Sequence, residues 1–303
     1  MALVRLDNWQ QRMSEDMRLV DYRPRTQEAY ALAMRLFFEH VGREPALLTE
    51  EEVRRYFLYL RDERQLSPSY LNIAVCAMRF FFLRTMRVEW EVFDLLRVQR
   101  GKSLPMVLAI AEVWRVLGVI REPVRRMALT TIYALGLRLG EGLRLEVGQL
   151  DGERLQVRIA MGKNKKDRMI PLPRPLLLRL RHYWKHERPA SATRLLFLPA
   201  RGDKPFDEST LQKTFTAAAV DARLQKHATI HTLRHSYATH LLEAGVSVRT
   251  VQEILGHASL RTTEVYLHVT TDSGERVQDA VDRLMKGLLD FGDAQEAPEP
   301  STP

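Results

Sequence analysis

The sequence predicts a mainly α-helical protein with one small β-sheet, arranged as an all-helical N-terminal domain followed by an α+β second domain. Three observations predict it. Apolar residues recur at helical spacing through most of the chain. One alternating stretch, Leu155–Ile159, is followed by a charged turn, Gly162–Asp167, and then by Met169–Leu172, the pattern of a β-hairpin with a basic tip. A polar stretch, Val98–Leu104 closed by Pro105, separates the two regions as a linker. The expected division is therefore residues 1–97, a linker over 98–105, a second domain over 106–290 and a tail over 291–303.

Three helices are expected from about Thr26 to Arg84. The first places Tyr30, Ala33, Met34, Phe37 and Phe38 on one face and ends near Gly42. The second opens with Thr49 and Glu52, a capping box, and carries Val53, Tyr56, Phe57 and Leu60. The third opens with Ser67 as cap and Pro68 in the first helical position, then Leu71, Val75, Met78 and Phe82. A short fourth covers Val88–Leu96. These aromatic stripes are core positions, and Cys76 among them is a small buried hydrophobe. In the second domain, helices are expected over Ala109–Ile120, Val124–Leu135, Pro175–His186, Glu208–Ala222, His231–Ala244, Val248–Leu255 and Val277–Leu289, with a short strand over Leu195–Leu198. Gly245 and Gly256 stop two of these helices. Gly292–Pro303 has the acidic, Pro- and Ala-rich composition of a disordered tail.

Composition excludes several classes. With 45% hydrophobic and 28% charged residues the chain is globular, not disordered. No apolar run is long enough to cross a bilayer, and Met1–Arg5 carries no basic-then-apolar signal pattern. A single cysteine excludes an internal disulfide, which fits a reducing cytosol. Charge is uneven. Residues 1–100 hold 16 Lys/Arg against 15 Asp/Glu, residues 101–271 hold 27 against 15, and residues 272–303 hold 3 against 8. The basic middle points to a polyanion, DNA or RNA.

The chemistry-bearing residues cluster in His231–Val269. His231, Arg234 and His235 stand at i, i+3 and i+4, on one helix face that is too polar for a core. Gly256-His257 follows a helix end, and Tyr266 comes nine residues after His257. Upstream, an apolar helix ends in Gly136-Leu137-Arg138, with Glu141 one turn on. Plainer readings exist for each piece. An arginine at a helix end can satisfy terminal carbonyls. Lys163, Lys165 and Lys166 can be a solvated turn or a phosphate-backbone contact. Two histidines at i, i+4 are compatible with zinc, but the catalytic zinc motif needs Glu where Thr232 stands, so zinc is set aside. Tyr133 and Tyr237 lie in apolar helical patterns and read as core.

Taken in order, Gly136-Leu137-Arg138, Gly162-Lys163, His231-Thr232-Leu233-Arg234, Leu255-Gly256-His257 and Tyr266 resemble the motif series of the tyrosine recombinases, the phage integrase family, over roughly residues 15–285. The hairpin Gly162–Arg168 is similar to the Xer type, with Asn164 where a glycine is usual, which leaves Lys165 or Lys166 as rivals to Lys163. The resemblance implies an N-terminal core-binding (SAM-like) domain and a catalytic domain. It implies a site-specific DNA recombinase that cleaves and rejoins double-stranded DNA through a 3′-phosphotyrosyl bond to Tyr266. Arg138 and Arg234 clamp the non-bridging oxygens. His231 accepts the Tyr266 proton, His257 donates a hydrogen bond to an oxygen, and Lys163 protonates the 5′ leaving group. Glu141 and His235 hold Arg138 or pack behind His231. The bond energy is conserved, so no cofactor, metal or ATP is expected. The partners implied are two specific DNA sites, a homotetramer and possible accessory proteins, with no membrane. A type IB topoisomerase and a non-catalytic DNA-binding protein are the alternatives. The last helix carries the stripe Val277, Val281, Leu284 and Leu288, widened by Ala280 and Met285. The resemblance implies docking on a neighbouring protomer, and packing on its own domain is the alternative.

Overall fold

The computed structural model describes residues 8–96, 98, 106–160, 167–199, 202–256 and 274–293, with the side chains of the last segment described from 276 to 286. The chain divides into two compact units, Met1–Ser103 and Leu104–Pro303.

Caps and prolines set the helix starts of the first unit. Helix α1 (Trp9–Leu19) follows Asn8, whose side chain accepts the Gln11 N–H. α2 (Pro24–Val41) begins on a proline and stops at Gly42, φ 67°. In α3 (Glu50–Leu58) the expected capping box forms: Thr49 Oγ1 accepts the Glu52 N–H, and the Glu52 carboxylate accepts the Thr49 N–H at 2.8 Å. α4 (Pro68–Phe80) has Ser67 as cap and Pro68 first, as expected. Only one turn, α5 (Val92–Leu95), forms where Val88–Leu96 was expected. Met13, Met17, Met34, Phe37, Phe81, Phe82 and Phe93 fill the core. Cys76 is a correction: it sits at the edge of that core, half-exposed on a helix whose Ile73 is also exposed. α1 was not expected. Met13 and Met17 are its only buried residues, too sparse a pattern for periodicity, so packing stabilises a helix that propensity alone would not.

The second unit contains α6 (Ile110–Gly118), α7 (Pro123–Ala134), α8 (Leu139–Leu143), β1 (Leu150–Asp151), β2 (Gln156–Ile159), β3 (Arg168–Pro171), α9 (Arg174–His186), α10 (Glu208–Asp221), α11 (Ile230–Glu243), α12 (Val248–Leu255) and α13 (Gly274–Asp293). The expected hairpin pairs β2 with β3 antiparallel, Ile159 opposite Arg168 and Val157 opposite Ile170, and β1 adds a third, unexpected strand. No strand forms over Leu195–Leu198. Leu195 makes a single bridge to Glu146, because its carbonyl and that of Leu196 are taken by side chains, Arg188 and Tyr183. Among the described residues, no helix is long and apolar enough to cross a membrane.

Two faces of α11 have separate tasks. On the core side, Ser236 Oγ accepts the Leu108 N–H at 2.9 Å, and His240 Nε2 lies 2.9 Å from the Leu108 carbonyl. A carbonyl can only accept, so Nε2 carries the proton and Nδ1 accepts from the Tyr133 hydroxyl, 2.8 Å away. Tyr133 and Tyr237 are both fully buried, as expected for core residues.

In the single chain the stripe on α13 is buried on its own domain, the alternative to docking on a neighbour. Val277, Ala280, Val281, Leu284 and Met285 join the core and meet α6, α9, α11 and β3. Two polar clamps fix the seat: Asp282 Oδ1 accepts the Arg174 N–H at the start of α9, and Gln278 Nε2 donates to the Leu172 carbonyl. α13 also runs to Asp293, past the expected end near Leu289, because adding a residue to a docked helix costs little. Residues 99–105 of the linker, and the tail from 294, lie outside the described residues.

Candidate active site

A glycine makes the first approach possible. After α7 the chain turns at Gly136, φ 58°. A Cβ there would stand 2.5 Å from Tyr237 Cδ1 and 2.8 Å from Leu255 Cδ2, so only glycine lets the α7 end close against α11 and α12. The turn delivers Arg138 to the start of α8. Its N–H donates to Glu141 Oε2 at 2.8 Å, and its Nη1 donates to Glu141 Oε1 at 2.8 Å. Its Nη2 reaches the Gly256 carbonyl at 3.2 Å. The Arg138 side chain remains 40% exposed, so part of it is open to a ligand.

Arg234 comes from α11 and is buried, 2% exposed. Its Nη1 donates to the Gly136 carbonyl at 2.7 Å and its Nη2 to the Leu255 carbonyl at 2.6 Å. It therefore ties α11, the turn after α7 and the last turn of α12 into one knot. Burial, and then the Arg138 charge, push its pKa down to about 9, so it stays cationic at neutral pH.

His231 and His235 share the face with Arg234, as the spacing predicts, but differ in exposure: His231 is exposed and His235 half-buried. Their rings meet edge-on, 4.5 Å between centroids. Although His231 as a residue is exposed, packing around its ring, and then the charges of Arg234 and Arg138, hold its pKa below the ordinary value. At neutral pH it is the uncharged form, able to accept a proton. His235 is shifted the same way by burial, then by His231 and Arg234.

Glu141 is the anionic hub. It holds Arg138, as expected, and also Arg168, which the sequence marked only as the last residue of the hairpin Gly162–Arg168. Arg168 Nη1 and Nη2 donate to Glu141 Oε1 and Oε2 at 3.0 and 2.8 Å, and Nε donates to the Ile254 carbonyl at 2.8 Å. A signal for Arg168 existed. On β3 the inward phase is Arg168, Ile170 and then Leu172, all buried, while Met169 points out at 50% exposure. Burial alone would raise the Glu141 pKa. The hydrogen bonds from Arg168 and the Arg138 backbone, with the Arg168 charge, outweigh it and hold the carboxyl at about 2.

A stability consequence follows from that depression. The group is ionised in the folded state far below its ordinary value of 4.5, so its contribution is present above about pH 4.5 and is lost as pH falls toward 2. The interval corresponds to about 3 kcal/mol. Glu141→Gln is expected to lower the melting temperature at pH 7 and to flatten the loss of stability between pH 4.5 and 2, as measured by thermal unfolding over pH. An unchanged acid limb would show that the carboxylate is not held this way.

Lys163, Lys165, Lys166, His257 and Tyr266 lie outside the described residues. The described part is a cationic cluster. Arg138, Arg168 and Arg234 converge on one carboxylate and on the carbonyls that end α12, with neutral histidines at the rim. Such an arrangement suits a ligand carrying negative oxygens.

The match to known proteins agrees with this chemistry. The phage integrase family model matches residues 108–273, and the phage integrase N-terminal SAM-like domain matches residues 9–92. The chain belongs to the phage integrase family, the tyrosine recombinases. It is 40% identical over 263 residues to a putative integrase/recombinase, y4qK, of Sinorhizobium fredii, covering 86% of this chain and 84% of that one. It is 32% identical over 269 residues to the tyrosine recombinase XerA of Thermococcus onnurineus, covering 88% and 92%. The fold is similar to that of a lambda integrase (75–356) dimer bound to a core site, TM-score 0.69 at 16% identity, covering 88% of this chain and 98% of that one. It is also similar to the Tn1549 transposon integrase in complex with circular intermediate DNA, TM-score 0.68 at 18% identity, covering 89% and 98%.

Proposed function

We propose that this chain cleaves and rejoins double-stranded DNA at specific sites through a 3′-phosphotyrosyl bond to Tyr266. The observation that carries the reading is the meeting of Arg138 and Arg234 at the carbonyls of Gly256 and Leu255, where α12 ends, one and two residues before His257 and ten and eleven before Tyr266 in sequence. Attack at phosphorus concentrates charge on the non-bridging oxygens, and two fixed guanidiniums supply the donors for it. A tyrosine hydroxyl, pKa about 10, needs an acceptor for its proton. His231, held neutral beside those arginines, fills that role. Tyr133 and Tyr237 are unsuited as nucleophiles, since burial pushes both hydroxyl pKa values up. His257 donates to a non-bridging oxygen. Because the phosphotyrosyl ester keeps the bond energy, religation needs neither ATP nor a metal. Exchange between two sites requires four protomers, a homotetramer on DNA.

Proton delivery to the departing 5′ oxygen falls to Lys163. Lys163→Ala is expected to lose cleavage on ordinary DNA and to recover it on a substrate whose 5′ leaving group is a thiol, which departs without protonation. Recovery confined to Lys165→Ala or Lys166→Ala would move the role to that lysine.

The test of the function uses a nicked suicide duplex built on the sequence that the protein enriches from a random DNA library. A denaturing gel is expected to show a protein–DNA adduct at the 3′ side of the break. Binding without any adduct would instead mark a DNA-binding module, and relaxation of supercoiled DNA with no site preference would mark a topoisomerase.

A further inference from the structure

We propose that Arg168 is a positioning residue for strand cleavage, acting through Glu141 to present the guanidinium of Arg138. The inference rests on the cleavage chemistry proposed above. Arg168 itself cannot meet a DNA phosphate: its side chain is 7% exposed, and Nε, Nη1 and Nη2 are all engaged, to Ile254 and to both oxygens of Glu141. Arg138 is the contrast, 40% exposed and sharing the same carboxylate.

The arrangement makes Glu141 a bracket between a fixed arginine and an exposed one. The Ile254 carbonyl fixes the plane of the Arg168 guanidinium. Its fork then fixes both carboxylate oxygens, and Glu141 Oε1 and Oε2 in turn fix the side chain and backbone N–H of Arg138. Charge follows the same path. Arg168 neutralises Glu141, so the positive charges of Arg138 and Arg234 stay available to an anion. Without it, one carboxylate would cancel one of those two charges and draw Arg138 onto itself in a bidentate pair. Arg234 Nη1 already stands 3.9 Å from Glu141 Oε2, close enough to be recruited as well. Lysine could supply the charge but not the planar fork. A buried ion pair is a poor device for stability alone, since apolar residues of similar volume hold a fold as well or better.

The experiment is a double-mutant cycle on single-turnover cleavage of the suicide duplex. Arg168→Lys, which keeps the charge, is introduced into the unaltered chain and into Arg138→Ala. In the unaltered chain it is expected to lower cleavage by about tenfold, a fraction of the effect of losing a direct donor. In Arg138→Ala it is expected to change cleavage by less than about twofold, because the residue it positions is gone. Within each background, Arg168→Lys is expected to leave DNA binding unchanged, since Arg168 is buried away from the phosphate. A second measurement uses a methylphosphonate at the scissile position. Its phosphoryl lacks one negative oxygen and needs the clamp less, so the Arg168→Lys defect is expected to shrink on it. Equal losses in both backgrounds, or equal losses on phosphate and methylphosphonate, would mean that Arg168 serves the fold only and would overturn the proposal. An unaltered chain that makes no adduct would be a different failure, of the cleavage reading itself.

Discussion

Replacing Tyr266 by phenylalanine is expected to abolish covalent attachment to DNA and to leave DNA affinity nearly unchanged. The substitution removes one oxygen and keeps the ring, so packing and phosphate contacts are conserved while the nucleophile is lost. Suicide-substrate assays on denaturing gels measure the adduct, and a binding titration on the same duplex measures affinity. The expected loss is complete, since the two tyrosines packed beside the site are poor substitutes. Tyr133 donates to His240 inside the core, and Tyr237 is buried beneath the Gly136 turn. Adducts that persist in Tyr266→Phe would transfer the role to another tyrosine.

Arg138→Ala and Arg234→Ala are each expected to slow cleavage by on the order of a hundredfold or more, the effect of losing one charge-stabilising donor. Their environments separate the two in a second measurement. Arg138 is 40% exposed, and its loss leaves Glu141 still paired with Arg168, so the melting temperature is expected to change little. Arg234 is buried and satisfies the carbonyls of Gly136 and Leu255. Its loss removes the donor that each has among the described residues, at a cost of about 1–3 kcal/mol for a buried group left unpaired. Arg234→Ala is therefore expected to melt measurably lower as well as to cleave slowly. Equal melting temperatures would show that the knot at the end of α12 contributes nothing to the fold. Full cleavage activity in either variant would remove that arginine from the phosphate clamp.

The described part of the site was legible where local chemistry writes it. The i, i+3, i+4 spacing of His231, Arg234 and His235 placed them on one helix face, because helix geometry is a property of adjacent residues. Glu141, one turn beyond Arg138, was read as its holder and is. The capping pairs Thr49–Glu52 and Ser67–Pro68 marked two helix starts to the residue, since a cap is satisfied within one turn. α1 escaped because two buried methionines make no periodic signal. The strand expected over Leu195–Leu198 failed because Arg188 and Tyr183, close in sequence to the segment, took its carbonyls.

By itself the sequence determined the order of elements, the helix faces and the residue types able to handle a phosphodiester, all consequences of periodicity, capping and side-chain chemistry. Only the tertiary structure decided which of the arginines is exposed and which are locked in place. Arg138, Arg168 and Arg234 come from three separate segments of the chain, and of the three only Arg168 carries a local sign of burial, the inward phase of β3. Their difference arises where α8, α11 and β3 pack against the end of α12, which buries two guanidiniums and leaves the third open. The seat of α13 was decided the same way. An apolar stripe states that a helix must be covered, but the surface that covers it is assembled from α6, α9, α11 and β3, and exists only once those elements have come together.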